Sequence, residues 1–361
     1  MAVTFGSGAA PSQVTLNLDS LFGISLAAYR KTLVDNIGAI NAFFHELIKS
    51  ELYESQDGGS YIQEPLMYAL TPADSYDGYD ELSTLPTDGI TDAIFQWRQC
   101  AAAIVYSMKE IKQNKQKIVD LVKARIMQAE MGLQEYFSQS LLWGAAADGG
   151  SLTAPRVSPV NGSNSIDPLP LLISFDPTVS TSIGNINQNT STWWRNKTFT
   201  SAAAGYDAFL LELDHAFNNT SLGTGGKVNI VLADETSYEL FVHALYQKYR
   251  QIKTNENFPF ENTVYKNATV TMDDKVPDAY SGTTSTATYG TFYLMNSKFF
   301  KMRYEEDSDF EMLKDENGKT FQKPVNGDSR VAHVAWMGNL TVNNRRKQGV
   351  FGKIARTLTT P

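Results

Sequence analysis

One cysteine, Cys100, stands among 361 residues, so no internal disulfide can form and the composition suits a reducing compartment. The four histidines, His45, His215, His243 and His333, lie far apart with no His or Cys neighbour at ligand spacing, which argues against a zinc centre. Long apolar runs are also missing. Ala101–Tyr106 falls far short of the roughly eighteen residues that mark a membrane span. The first basic residue is Arg30 and no apolar core of a signal peptide precedes it. Basic side chains are outnumbered, 31 against 39 acidic for a net charge of −8, which argues against a protein that grips a nucleic-acid backbone. What is present, 42% hydrophobic residues over a length sufficient for two or three packed units, describes a soluble globular chain expected in a cytoplasm.

The organisation changes along the chain. Residues 1–20 are small, polar and turn-prone and predict a mobile arm. Apolar positions from Leu21 to Ile48 predict a helix, bent or broken at Gly23 and Gly38. From Glu51 to Trp97, Gly and Pro punctuate short apolar runs, the pattern of a two-stranded excursion, and this stretch holds ten carboxylates and no Lys or Arg. Met108, Ile111, Ile118, Val122, Ile126 or Ala129, Leu133, Phe137 and Leu141 then recur at helical steps. Asn114 to Leu142 give a helix of about 29 residues, roughly 43 Å long at 1.5 Å per residue. After an Ala/Gly/Ser/Pro-rich crossing, Lys227–Leu232 predicts a buried strand and Thr236–Arg250 a helix packed on it. Thr263–Met272, Thr291–Lys301 and Val331–Val342 predict further strands, so the class is α+β.

Chemistry-bearing constellations are weak throughout. Asp273-Asp274 and the acidic run Glu305–Asp309 lack the Gly-containing loop of a calcium site, so solvated faces are the expectation. Gly223–Lys227 has phosphate-loop composition, but it precedes a strand instead of following one, and reads as a turn. Cys100 sits beside Ala101-Ala102-Ala103 with no adjacent base and is expected in a core. Trp193-Trp194 is expected to be a buried aromatic anchor. No nucleophile, base and oxyanion donor can be assembled, and neither a metal nor a cofactor is expected.

Three segments occur in an informative order: Pro65-Leu66-Met67-Tyr68 with Ser75-Tyr76-Asp77-Gly78-Tyr79-Asp80-Glu81-Leu82; Ile183-Gly184-Asn185-Ile186 with Trp193-Trp194-Arg195-Asn196; and Gly338 to Val350. In these the chain resembles tailed-bacteriophage major capsid proteins of the Hong Kong 97-type fold, from about residue 20 to 353. The resemblance implies an N-terminal arm (1–50), an extended E-loop (51–100), a P-domain with a long spine helix (101–165), an A-domain (166–329) and a P-domain return strand with the C-terminus (330–361). It implies hexamers and pentamers closing an icosahedral shell around double-stranded DNA that is barely gripped. Scaffold, portal and decoration proteins are implied partners, assembly is in the host bacterial cytoplasm, and no membrane or catalytic activity is involved. Only about twenty residues precede the first expected helix, so either a separate scaffold serves or the chain is already mature. An encapsulin-type compartment shell, or a small hydrolase or sugar-binding protein, are the alternatives.

Charge suggests how subunits meet. Residues 341–361 carry Arg345, Arg346, Lys347, Lys353 and Arg356 and no acid, opposite in sign to residues 51–97. Contacts between subunits are therefore expected from Glu64, Asp74, Asp77, Asp80 and Glu81 of one arm to Arg345, Arg346 and Lys347 of a neighbour. Some relatives weld their shells through an E-loop lysine, and this arm has none to donate.

Overall fold

The computed structural model describes residues 42–71, 73, 75–79, 88–113, 118–142, 165–178, 180–223, 225–248, 262–273, 275–276, 289–314, 318–324 and 327–355. The expected arm at 1–20, and all but the end of the helix expected over 21–48, lie outside them. In chain order the elements are α1 (Ala42–Lys49), β1 (Tyr53–Gln56), β2 (Ile62–Met67), β3 (Ile90–Phe95), β4 (Arg98–Ser107), α2 (Met108–Gln113), α3 (Ile118–Leu142), α4 (Leu169–Leu172), β5 (Ser182–Ile183), β6 (Ile186–Asn187), β7 (Lys197–Thr200) and α5 (Tyr206–Ser221). There follow β8 (Ile230–Ala233), α6 (Glu235–Lys248), β9 (Asn262–Tyr265), β10 (Ala268–Met272), β11 (Tyr289–Met295), β12 (Phe300–Glu305), β13 (Glu311–Met312), β14 (Ser329–Val342) and β15 (Gly349–Ala355).

A five-stranded sheet is organised around β14. One edge of β14 pairs antiparallel with β4 from Ser329↔Ser107 to Gly338↔Arg98. The other edge takes β13 and then β12, and β1 adds parallel to β12 at Tyr53↔Met302. The long helix α3 covers this sheet with Ile126, Leu133, Phe137 and Leu141, which its helical spacing places on one buried stripe. Phe137 meets Trp336 of β14 edge-on, ring centroids 4.8 Å apart, and α1 closes the core with Phe43, Phe44 and Leu47.

A six-stranded sheet runs β7-β15-β11-β8-β10-β9. Successive side chains point to opposite faces, so this sheet divides two cores. Ile230 and Leu232 of β8, with Tyr293 and Met295 of β11, face the first core; Val231, Ala233, Phe292 and Leu294 face the second, against Phe209, Leu213, Phe217 and Phe241 of α5 and α6. Every residue of β8 is buried, as both-face coverage requires.

Two expected strands change, and two expected boundaries do not follow the sheets. Thr263–Met272 is not one strand but the hairpin β9–β10, because Lys266 and Asn267 take φ of 49° and 69° and reverse the chain. Thr291–Lys301 is broken at Asn296, whose side chain accepts the main-chain N–H of Lys298 and starts a short 3₁₀ turn between β11 and β12. The expected boundary at 329/330 does not separate the sheets: β12 and β13 precede it yet lie in the five-stranded sheet, while β15 follows it and lies inside the six-stranded one. Likewise β1, expected in the excursion, belongs to the five-stranded sheet. Pairing between distant strands decides membership here, and spacing along the chain does not report it.

Candidate functional site

The acidic excursion leaves the body as a two-stranded hairpin, β2 against β3, registered from Ile62↔Phe95 to Met67↔Ile90. Alternation buries Ile62, Glu64 and Leu66 with Ala93 and Phe95 on one face and exposes Gln63, Pro65 and Met67 on the other. Pro65 lacks an amide hydrogen and is tolerated because β2 is an edge strand.

Ile62, Leu66, Ala93 and Phe95 of the hairpin pack into the first core, and three further contacts hold it to the body. The first is polar: buried Glu64 accepts from Arg303 Nε at 2.9 Å and from Thr341 Oγ1 at 3.1 Å, while Arg303 also pairs with Glu54, which Lys301 Nζ meets at 3.2 Å. The second is main chain: Ile94 N donates to Gly184 O at 2.9 Å. Gly184 has φ +60°, and a Cβ there would lie 2.8 Å from that of Ala93, so this turn accepts no side chain. The third is aromatic: Tyr68 stacks on Trp193 with centroids 4.9 Å apart and planes 24° from parallel.

Behind the stack sits a buried arginine. Arg345 donates from Nε to Leu172 O at 2.7 Å, from Nη1 to Trp194 O at 2.9 Å, and from Nη2 to Asn196 Oδ1 at 3.0 Å and Gln188 Oε1 at 3.1 Å. Burial pushes its pKa down to about 9, so it remains charged at neutral pH with neutral acceptors as its partners in these bonds. Trp194 is buried and donates Nε1 to Ile183 O at 2.9 Å. The three sequence segments singled out above therefore meet at one place, through Tyr68, Trp193, Ile183 and Arg345.

Beside them, residues 66–70, Trp193 and Asn343–Lys347 border a groove of about 390 Å³, in which Lys197, Arg346 and Lys347 converge and no described carboxylate takes part. Lys197 donates to Asn219 O at 2.5 Å, and Lys347 to Leu222 O at 2.6 Å and Gly223 O at 3.0 Å, two cations closing the C-terminus of α5. Burial holds both ammonium groups below the usual lysine range, and the nearby Arg346 lowers both further. Gly223 and Gly225 take φ of 85° and 111°, and a Cβ on Gly225 would crowd Phe299 at 3.0 Å and Lys347 at 3.3 Å, so the glycine-rich segment packs against a lysine. A second cavity, about 440 Å³, lies at the foot of the hairpin by the Arg98–Asp167 ion pair, 3.3 Å apart.

Several expected contact residues are committed within the chain. Arg345, Lys347 and Glu64 are buried, because a charge leaves water only where fixed partners replace the water's hydrogen bonds. Of the others, Asp77 and Arg346 are exposed, and Asp74, Asp80 and Glu81 lie outside the described residues. Trp194 is the buried anchor, whereas Trp193 is half-buried. Arg303 and Tyr68 had no role assigned from charge counting. Burial pushes the Cys100 thiol up to about 12, which keeps it protonated at neutral pH. Among the described residues no three His, Cys, Asp or Glu side chains converge on a metal position, and no helix is long and apolar enough to cross a membrane.

No family model and no curated protein matches the sequence. Solved structures do. The capsid of cyanophage A-1(L) superposes with a TM-score of 0.60 over 89% of this chain and 92% of that one, at 12% identity. The capsid of a native GTA particle superposes at 0.52, over 85% and 89%, with 9% identity. The SrpI encapsulin of Synechococcus elongatus covers 87% of this chain and 90% of its own at 10% identity and a TM-score of 0.49. The chain has the Hong Kong 97-type capsid fold. On this capsid fold the hairpin carries an apolar strip that charge counting does not reveal: Met67 and Ile90, 72% and 70% exposed, face each other across the strands, and Leu70, Tyr76 and Tyr79 are exposed further out.

Proposed function

We propose that this chain is the major capsid protein of a tailed double-stranded DNA bacteriophage, a structural subunit forming hexamers and pentamers that close an icosahedral shell. One observation carries the reading: likeness to a phage capsid over nearly the whole of both chains, 89% of this one and 92% of the other. In these terms the hairpin belongs to the E-loop (51–100), α3 is the spine helix of the P-domain (101–165), and the six-stranded sheet forms most of the A-domain (166–329), with β15 added to it from the C-terminal segment. Each arm meets a neighbour through exposed Asp77 and through the carboxylates of Asp74, Asp80 and Glu81, facing Arg346, and through the apolar strip. Single exposed ion pairs contribute only about 0.2–1 kcal/mol, so repetition around a closed shell makes them effective.

DNA is enclosed and weakly held, in keeping with the net charge of −8. Scaffold, portal and decoration proteins are the further partners, and assembly takes place in the host bacterial cytoplasm. Negative-stain microscopy of the purified protein tests the reading. Closed shells are expected; a monomer under every assembly condition overturns it.

A further inference from the structure

The three attachments of the hairpin differ in kind. Glu64 and Ile94 are fixed near its root by a buried ion pair and a main-chain hydrogen bond. Tyr68 lies beyond them and touches the body by one ring, half-buried, on another half-buried ring. Cross-strand pairing extends as far as Tyr68, whose N donates to Gly89 O at 2.9 Å. Any slip at the ring contact therefore turns the outer part of the hairpin about a packed root that ends at Leu66.

The partner ring is held far more firmly than the contact itself. Trp193 precedes Trp194, whose main-chain oxygen and indole N–H are bonded to Arg345 and Ile183. The contact is thus a fixed stop on the body against which a lever rests.

We propose that the Tyr68–Trp193 stack sets the angle at which the arm leaves the body and so the curvature and diameter of the shell, Tyr68 and Trp193 being positioning residues. The inference rests on the shell reading above. Extended chain spans at most about 3.3 Å per residue, so Glu64 to Tyr68 is about 13 Å and Glu64 to Tyr79 at most about 50 Å. Subunits that meet in slightly different surroundings tolerate some adjustment, but loss of the stop removes the preferred angle altogether.

Particle diameter is the readout that a merely structural role does not move. Wild-type particles are expected in one diameter class. Tyr68→Ala is expected to give mixed diameters or open sheets while the subunit melts as wild type does, Trp193→Ala gives the same diameters with a lower melting point, Tyr68→Phe restores the single class, and the double variant assembles no worse than Trp193→Ala. Wild-type diameters from Tyr68→Ala overturn the proposal. An assembly-independent measurement accompanies this one: spin labels on Tyr79→Cys and Leu211→Cys in unassembled subunits of a Cys100→Ser background, with pulsed distance measurement. Replacing Tyr68 by Leu is expected to broaden the distance distribution severalfold; an unchanged narrow distribution overturns the stack's role. If the wild-type chain forms no shell, the shell reading fails, and the label distances still decide whether the stack fixes the arm.

Discussion

Arg345 Nη1 donates to the main-chain oxygen of Trp194 at 2.9 Å, tying residues 151 positions apart in the sequence at the centre of the molecule's one buried guanidinium knot among the described residues. Removing it leaves the acceptors Leu172 O, Trp194 O and Gln188 Oε1 without this donor and opens a cavity. Arg345→Ala is expected to lower stability by about 3–5 kcal/mol, read as the shift in a urea midpoint, and Arg345→Lys to recover part of that. A stability within about 0.5 kcal/mol of wild type refutes the role.

Arg346 is its neighbour in sequence and its opposite in surroundings, exposed and outside the knot. Arg346→Glu is expected to leave the melting transition unchanged within about 0.5 kcal/mol while loosening particles at low salt, the effect shrinking as salt screens it. Sedimentation at two salt concentrations checks this. Equal assembly at both removes Arg346 from the contact.

Glu64 and Arg303 fasten the root of the arm. Glu64→Gln keeps the shape, yet removes the buried anion that meets Arg303, which retains Glu54, and is expected to cost about 2 kcal/mol. Limited proteolysis should also cut the hairpin faster. An unaltered cleavage rate and midpoint count against the attachment.

Asp167 supplies a pH test. Burial holds its carboxyl above the usual aspartate range, against the opposing pull of Arg98 and Asn339. An acid whose pKa is raised in the fold binds its proton more tightly folded than unfolded, so its contribution to stability falls as pH rises from the ordinary aspartate value of 3.8 through the raised one. Asp167→Asn removes that falling component. Urea midpoints across this window should show the wild type losing stability relative to the variant as pH rises, and parallel curves refute the assignment.

The lysine-free arm gives a chemical prediction. With no ammonium group between residues 51 and 97, an isopeptide bond donated by that segment cannot form, and particles should give single-chain bands in boiling SDS. A covalent ladder whose cross-linked peptide maps to residues 51–97 contradicts this.

Helical stripes and the central strand were legible in the sequence because they depend on local spacing: Ile126, Leu133, Phe137 and Leu141 fall on one face at any backbone detail, and Lys227–Leu232 overlaps the observed Ile230–Ala233. The reversal at Lys266-Asn267 was not, since neither Gly nor Pro marks it and the turn is stabilised from outside: Lys266 Nζ reaches Asp214 at 2.8 Å on α5 and lies 5.7 Å from the Phe217 ring. Within the site, counting charges puts Glu64 outside with its acidic neighbours. Parity puts it inside, between Ile62 and Leu66, and parity is the better guide for a half-buried strand. Arg345 offers no comparable signal, because its acceptors come from residues 172–196 and only the folded chain brings them to it.

The position of β15 between β7 and β11 bears on synthesis as much as on architecture. Strand β7 pairs with β15 and with no other described strand, so Lys197–Thr200 must wait, without its neighbour, until Gly349–Ala355 has been made. A polypeptide that stalls anywhere before that point cannot complete the wall dividing its two cores. Fragments are thereby distinguished from finished chains by folding alone.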